Sequence, residues 1–381
     1  MVAFAFAPPP ASPEAERLRA EIRDFLASEL GGRSARARAG SWGNRDPEFS
    51  RKMGARGFIG MTWPKRYGGH ERSALERYVV LEEVLAAGAP MGAHWVADRQ
   101  SGPLLLRFGT EEQRRAILPR IAAGECYFCI GMSEPDSGSD LAATRTRAVA
   151  VEGGFLVNGT KIWTSNAHQC HYMILFCRTD AATNADRHAG VSQFLVDLTL
   201  PGITIRPIRD LAGEHHFNEV VFEDAFLPAD TLIGALGGGW QQVTSELAFE
   251  RSGPERFLST YMLLVELVRA LGSQPSERAA IAAGRLTGHI IVLRRLSRSV
   301  AGMLQAGEDP ALQAALVKDL GTTLEQEIPE VARLLIETGS RPADAYEAVL
   351  AHAIMRAPSF SIRGGTREIL RGIVARGLGV R

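Results

Sequence analysis

Three short stretches carry the residue types that do chemistry. Residues 131–144, GMSEPDSGSDLAAT, leave an apolar run through Ser133, Glu134, Pro135, Asp136, Ser137 and Gly138. Hydroxyls and backbone N–H groups gathered at the end of a strand can bind a polar ring edge or a phosphate, although the same composition also suits a plain connecting turn. KIWTSNA, residues 161–167, sets Trp163 beside Thr164 and Ser165. A flat aromatic face next to short hydroxyl donors suits a planar heterocycle. LAFERSGPE, residues 247–255, places Glu250 and Arg251 in a long apolar-periodic segment. There Glu250 reads either as a proton-abstracting base or as one more solvated helix carboxylate.

Other reactive side chains form no obvious site. Cys126 and Cys129 make a C-x-x-C inside ECYFCIGM, but on a strand residues three apart point to opposite faces and cannot share a metal. His168 and His171 flank Cys170 in AHQCHYMILF without a second ligand pair of matching spacing, so no metal is expected. His215 and His216 in GEHHFNE read as solvated side chains of a polar loop.

The elements that must position these residues fall into three regions. Residues 1–125 read as helical. SPEAERLRAEIRDFLASEL opens with Ser12 as cap and Pro13 at the first helical position, then sets Leu18, Ile22, Phe25 and Leu26 on one face. Further helical patterns lie in PEFSRKMGARGF, ALERYVVLEEVLAAG, Met91 to Phe108 and TEEQRRAILPRIAAG, the last opening on Thr110. Residues 126–233 read as a small sheet domain, from period-two runs such as CYFCIGM, HYMILFCRT, VSQFLVDL and NEVVFEDAFL. The dipeptide Asn158-Gly159 predicts a tight hairpin turn between VEGGFLV and TKIWTS. Residues 234–381 return to helix period, broken near GSQPS, AGEDP and GSRPAD, a spacing that suits a bundle of four or five antiparallel helices.

Charge narrows the ligand. Lys and Arg number 43 and Asp and Glu also 43 in 381 residues, so no net field draws in nucleic acid or an anionic membrane, and a small-molecule site is expected. The opening MVAFAFAPPP is too short for a membrane span and has no basic leader. Four cysteines make no disulfide framework, and a soluble cytoplasmic protein is the expectation.

SEPDSGSDL, then NGTKIWTSNA, then IRGGTREILRGIVAR near the end together resemble the acyl-CoA dehydrogenase family over nearly the whole chain. The resemblance implies an α+β fold: an N-terminal helical domain, a central small β domain and a C-terminal four-helix bundle, with FAD between sheet, bundle and a neighbouring subunit. It implies that Ile130, Met132 and Ser133 contact the flavin ring, that Trp163, Thr164 and Ser165 form a second flavin-contacting strand, and that Thr366 and Glu368 contact FAD at the last helix. Ser139 then lies near the CoA thioester. The implied reaction takes the α proton of an acyl thioester onto a carboxylate while the β hydrogen leaves as hydride to the flavin, giving a trans-2-enoyl-CoA. An electron-transfer flavoprotein is the implied acceptor, and a homodimer or homotetramer the implied assembly.

Commoner members of that family carry the base just before G-T in the terminal motif, where this sequence has Gly364. A minority, resembling the isovaleryl and long-chain enzymes, carry it in an E-R pair after the sheet domain. Glu250 and Arg251 supply that pair, so Glu250 is the expected base and Arg251 a group that positions acyl-CoA or the flavin region. Two departures stand out. The adenine-side R-x-x-F-G segment is represented by a shortened RALGSQPSER, and a G-G-x-G stretch is replaced by ETGSRPADAYEA. Arg269, Arg278 or other residues rebuild the clamp, or a different subunit completes the site in a hetero-oligomer. Such divergence resembles bacterial members acting on bulky or branched acyl groups, including steroid side chains, and Trp95 reads either as a residue beside the acyl cavity, by resemblance, or as a buried core tryptophan. A same-fold oxidase or monooxygenase, or a half-site subunit, are the alternative readings.

Overall fold

A computed structural model describes residues 5–10, 12–180, 186–251, 253–335 and 344–380, with the backbone alone for 246–250. Six α-helices come first: α1 (Pro13–Leu30), α2 (Ala35–Ala39), α3 (Pro47–Ala55), α4 (Ala74–Ala86), α5 (Gly102–Phe108) and α6 (Glu111–Ala122). Eight strands follow: β1 (Phe128–Gly131), β2 (Arg147–Val151), β3 (Gly154–Ser165), β4 (Tyr172–Arg178), β5 (Val191–Asp197), β6 (Ile203–Arg209), β7 (His215–Pro228) and β8 (Leu232–Ile233). The chain then returns to helix in α7 (Gly239–Glu250), α8 (Tyr261–Leu271), α9 (Glu277–Gln305), α10 (Ala311–Leu335), α11 (Asp344–Phe360) and α12 (Arg367–Gly377). Among the described residues no helix is long and apolar enough to cross a membrane.

Two compact units divide the chain. One holds residues 1–45, 72–92 and 248–381, the other residues 46–71 and 93–247.

In the first unit the helix starts follow local chemistry. The Ser12 hydroxyl accepts from Ala15 N ahead of Pro13, and Ser73 and Glu76 form a reciprocal capping box on α4. Leu18, Ile22, Phe25 and Leu26 of α1 are buried, and α1 packs on α4 along that stripe. A charge is buried with it. Glu82 of α4 accepts from Arg19 Nη1 at 2.9 Å and from Arg294 Nε and Nη2 at 2.6 and 2.9 Å, so α1, α4 and α9 meet at one carboxylate. Burial works to raise its pKa, but the hydrogen bonds and charge of Arg294 and then Arg19 outweigh this and lower it.

The second unit is built on an eight-stranded sheet in the order β6-β7-β3-β2-β4-β5-β8, with β1 parallel to β4 at a branch. One face packs Met173, Leu175, Phe194, Val196, Val220 and Phe222 into the core. Six consecutive residues of β5, Val191 to Val196, are buried, which erases the alternation of a half-exposed strand. Thr110 caps α6 through a box with Gln113, whose side-chain amide also donates to the carbonyls of Asp230 and Leu232.

Three expectations are corrected here. The Asn158-Gly159 turn does not exist: β3 runs unbroken from Gly154 to Ser165, the reversal from β2 comes at residues 152–153, and Asn158-Gly159 forms a bulge opposite β7. A side chain at Gly159, with φ 144°, would put its Cβ 2.6 Å from Thr146 Cα, so the glycine serves a close approach rather than a hairpin. The first strand begins at Phe128, leaving Cys126 before it. His216 is buried at the start of β7, and His215 stacks on His168 with centroids 3.8 Å apart.

Glu82→Gln leaves two guanidinium groups without their shared carboxylate, and removing one partner of a buried pair costs about 3 kcal/mol. Thermal or urea unfolding of the variant is expected to show that loss, and an unchanged midpoint refutes the role assigned to this contact.

Candidate active site

In the second unit the two chemistry-bearing stretches lie side by side. The peptide N–H of Ile162 donates to Ser133 O at 2.9 Å, which couples the exit of β1 to the end of β3. Beneath them Lys161 is fully buried. Its ammonium donates to Glu134 Oε1 at 2.7 Å, Thr144 Oγ1 at 3.0 Å and Met132 O at 3.1 Å, so all three of its hydrogens are used.

Glu134 is satisfied as fully. Besides Lys161 it accepts from the Thr144 hydroxyl at 2.6 Å and from the peptide N–H groups of Arg145 and Thr146 at 2.7 and 2.9 Å. Burial alone would raise its pKa, but the Lys161 charge and these donors outweigh it and hold the carboxyl at about 2. Burial pushes Lys161 below its ordinary value against the pull of Glu134. The SEPDSG loop is closed on itself as well: Glu134 and Ser137 exchange backbone hydrogen bonds, and Ser137 Oγ donates to Asp140 O at 2.8 Å.

Above this pair β3 is distorted. The register with β7 slips between Lys161 and Thr164, and Trp163 takes φ 58° with its indole 55% exposed. A bulky residue in the left-handed region is a costly conformation that surrounding structure must impose. Phe217 supports the indole edge-on at 5.8 Å, Asn218 Nδ2 donates to Thr164 O at 2.9 Å, and Asn166, also at positive φ, donates its N–H to His216 O. Asn218 Oδ1 is in turn held by His215 Nε2 at 2.8 Å and His168 Nδ1 at 3.1 Å. These histidines brace the bulge, a role that their loop-like sequence did not suggest.

Thr164 beside the indole is fully buried, and its hydroxyl has no hydrogen-bond partner among the described residues. Ile130, Met132, Ser133 and Ser165 are half-buried, and Ser139 is exposed on the loop. Arg145 reaches Asp136 at 3.0 Å on the surface, and Arg147 is exposed on β2.

The remaining candidates belong to the first unit or its edge. Glu250 is the last residue of α7, and its side chain lies outside the described residues. Arg251, buried, comes to the terminal motif: a Cβ built on Gly365 would stand 3.4 Å from Arg251 Nη2. Gly364 and Gly365 have φ 63° and 93°, a turn only glycine makes without strain.

Two buried charges of α10, seven residues apart and so on one face, hold that turn from both sides. Lys318 Nζ donates to Gly365 O at 2.8 Å. Glu325 accepts from Arg363 Nη2 at 2.9 Å and from Ser259 N at 2.9 Å. Thr366 then caps α12 through Ile369 N, and Glu368 is exposed in its first turn. Residues 337–343 of ETGSRPADAYEA, the stretch that replaces the G-G-x-G, lie outside the described residues.

Comparison with known proteins agrees with this architecture along the whole chain. Family models for the acyl-CoA dehydrogenase N-terminal, middle and C-terminal domains match residues 12–125, 129–225 and 264–379. Acyl-CoA dehydrogenase FadE29 of Mycobacterium tuberculosis is 32% identical over 379 residues, covering 96% of each chain. Among solved structures, the Tcur3481-Tcur3483 steroid ACAD matches with TM-score 0.84 and 29% identity over 97% of this chain and 98% of that one. The ChsE4-ChsE5 complex from Mycobacterium tuberculosis matches with TM-score 0.84 and 29% identity over 98% and 99%.

The Glu134 carboxyl titrates near 2 when folded and near the ordinary 4.5 when unfolded, so its contribution to stability is complete above about pH 4.5 and is lost as pH falls towards 2. Glu134→Gln is expected to be less stable than wild type at pH 7, with the gap closing through that window in acid unfolding. A gap that stays constant with pH contradicts the ionic role.

Proposed function

The chain belongs to the acyl-CoA dehydrogenase family, and on that premise we propose that it removes two hydrogens across the α,β bond of an acyl-CoA thioester, with Glu250 taking the α proton. The observation that carries this reading is the pairing at 163–164: an exposed indole held in a strained conformation next to a buried threonine hydroxyl that has no partner among the described residues. A flat heterocycle with a polar edge meets both needs, covering the ring face and accepting or donating to the Thr164 hydroxyl. FAD fits that description, and when bound it supplies the hydride acceptor.

The chain's own residues have distinct tasks in this proposal. Ile130, Met132 and Ser133 bound the ring edge with apolar surface and backbone groups, while Trp163, Thr164 and Ser165 cover and anchor it. Thr366 and Glu368 at the start of α12 contact the cofactor's far portion. Ser139, exposed on the SEPDSGSD loop, contacts CoA. Arg251 positions the thioester end from its place against Gly365, and Glu250, one residue earlier, accepts the proton from the carbon next to the carbonyl. An ionised carboxylate suits this step because it can take the α hydrogen as a proton, leaving its bonding pair on the substrate, while the β hydrogen departs with its electron pair.

Gly364 supports the assignment of the base to residue 250. A residue other than glycine at φ 63° costs about 1–2 kcal/mol, so the terminal turn is shaped for a small residue.

The acyl group we favour is bulky and ring-bearing, in keeping with the similarity to a protein described as a steroid ACAD. An electron-transfer flavoprotein is the proposed acceptor. Assembly with further subunits, identical or different, is proposed from the family and from the likeness to the ChsE4-ChsE5 complex.

Anaerobic mixing of the flavin-loaded protein with a panel of acyl-CoAs should bleach the flavin absorbance. Glu250→Gln should keep the flavin and slow bleaching by at least about a hundredfold, the low end of what a positioned base contributes. A variant that bleaches at the wild-type rate places the base elsewhere.

A further inference from the structure

A buried ammonium rests on the backbone of the stretch assigned to the flavin edge. Lys161 is 0% exposed, and its Nζ donates to Met132 O at 3.1 Å. No described peptide bond is cis, so the N–H of the Met132–Ser133 peptide points away from that carbonyl. A cation on the oxygen of a peptide polarises it and strengthens its N–H as a donor. This N–H has no hydrogen-bond partner among the described residues, whereas Ser133 O accepts from Ile162 N at 2.9 Å.

Glu134 balances the charge of Lys161 without cancelling its direction. Oε1 accepts from Lys161 at 2.7 Å, from the Thr144 hydroxyl at 2.6 Å and from Thr146 N at 2.9 Å, and Oε2 accepts from Arg145 N at 2.7 Å. The carboxylate therefore faces the donors of residues 144–146, and the ammonium is the end of the pair that touches Met132 O. The two charges form a fixed dipole, positive end at the Met132–Ser133 peptide, in a buried setting where solvent and salt screen little. Burial opposes the Glu134 charge, but Lys161 and the other donors hold the carboxyl at about 2, so the carboxylate stays ionised at neutral pH.

We propose that Lys161 sets the reduction potential of the bound flavin through the Met132–Ser133 peptide, making the Ser133 N–H a stronger donor to the ring edge and so raising the potential. The inference rests on the flavin contact assigned to Ser133 in the proposed function, and on neither the acyl group nor Glu250. Electrons taken up by the ring add negative charge to it, and a fixed donor aimed at that charge stabilises the reduced form over the oxidised. Lys161 acts through a peptide and is a positioning residue.

The test is a spectroscopic redox titration of the flavin-loaded protein against a reference dye, without acyl-CoA. Lys161→Met combined with Glu134→Gln removes the dipole and leaves the net charge unchanged, and replacing both partners of a buried pair is far milder than removing one. The double variant is expected to shift the flavin's reduction equilibrium at least about tenfold towards the oxidised form, about 30 mV for a two-electron couple. Lys161→Arg, which keeps the charge, should stay near wild type. Wild type itself should hold its flavin above the potential of free FAD, a readout that stands even if a variant fails to fold.

The proposal is overturned if the double variant keeps the wild-type potential or raises it, or if the wild-type potential lies below that of free FAD. A purely structural role predicts a lower melting point or weaker flavin binding at an unchanged potential. Protein that takes up no flavin sinks the cofactor reading itself, and bleaching by acyl-CoA, measured separately, decides the dehydrogenation step.

Discussion

Much of the sheet unit's chemistry depends on one buried ion pair. Lys161 and Glu134 come from different stretches of chain, and the ammonium also holds Met132 O and Thr144 Oγ1. A buried pair gains little net stability over apolar residues of the same shape, since desolvating both charges offsets their attraction. What it gives is geometry. Every lone pair and hydrogen has an assigned direction, so the SEPDSG loop and the Trp163 bulge cannot shift independently. The strained backbone of Trp163 needs such a base, because a chain free to relax would return that residue to extended conformation.

The helical unit uses the same device on its own loop. Lys318 and Glu325 project from one face of α10, and each bonds to a different part of the 361–366 turn, one to the Gly365 carbonyl and one to the Arg363 guanidinium. Glycine at 364 and 365 lets the chain turn tightly, and glycine alone would leave the turn free to take many conformations. The buried charges select one of them. Asp319, the neighbour of Lys318, extends the arrangement by pairing with Arg367 and Arg371 in α12, so the helix following the turn is fixed through the same stretch of α10.

The sequence was legible where the causes are local. Ser12 with Pro13, Ser73 with Glu76 and Thr110 with Gln113 each satisfy orphan N–H groups within one turn, and their helices begin where the residues say. The helix-sheet-helix order and the adjacency of SEPDSG to KIWTS were legible too. It failed where a distant contact decides. Asn158-Gly159 has the composition of a hairpin turn, but the glycine answers to Thr146 across the sheet, and nothing within five residues reports that. His215 and His216 looked solvated because their neighbours are polar, whereas Asn218 and the 163–166 bulge draw them in. Lys161 gave no sign of burial, since its partner lies 27 residues earlier. The π-helical turn at Ala97–Ser101, within the segment read as plain helix, was equally invisible.

Glycine at 364 bears on where a proton-accepting carboxylate can stand. The turn places residues 364 and 365 at positive φ in succession, and Gly365 is the point where Arg251 arrives from the end of α7. A long side chain at 364 would have to be carried by a left-handed backbone while Lys318 and Glu325 hold the residues on either side. The strain of such a residue could not be relieved by shifting the turn without breaking a bond to a buried charge. The end of α7 carries no such restriction, because helical φ is open to any side chain but proline's neighbours. The proposed carboxylate at residue 250 leaves the turn relaxed and stands one residue from Arg251, which reaches Gly365, so the proposed base asks for no strained residue in the turn.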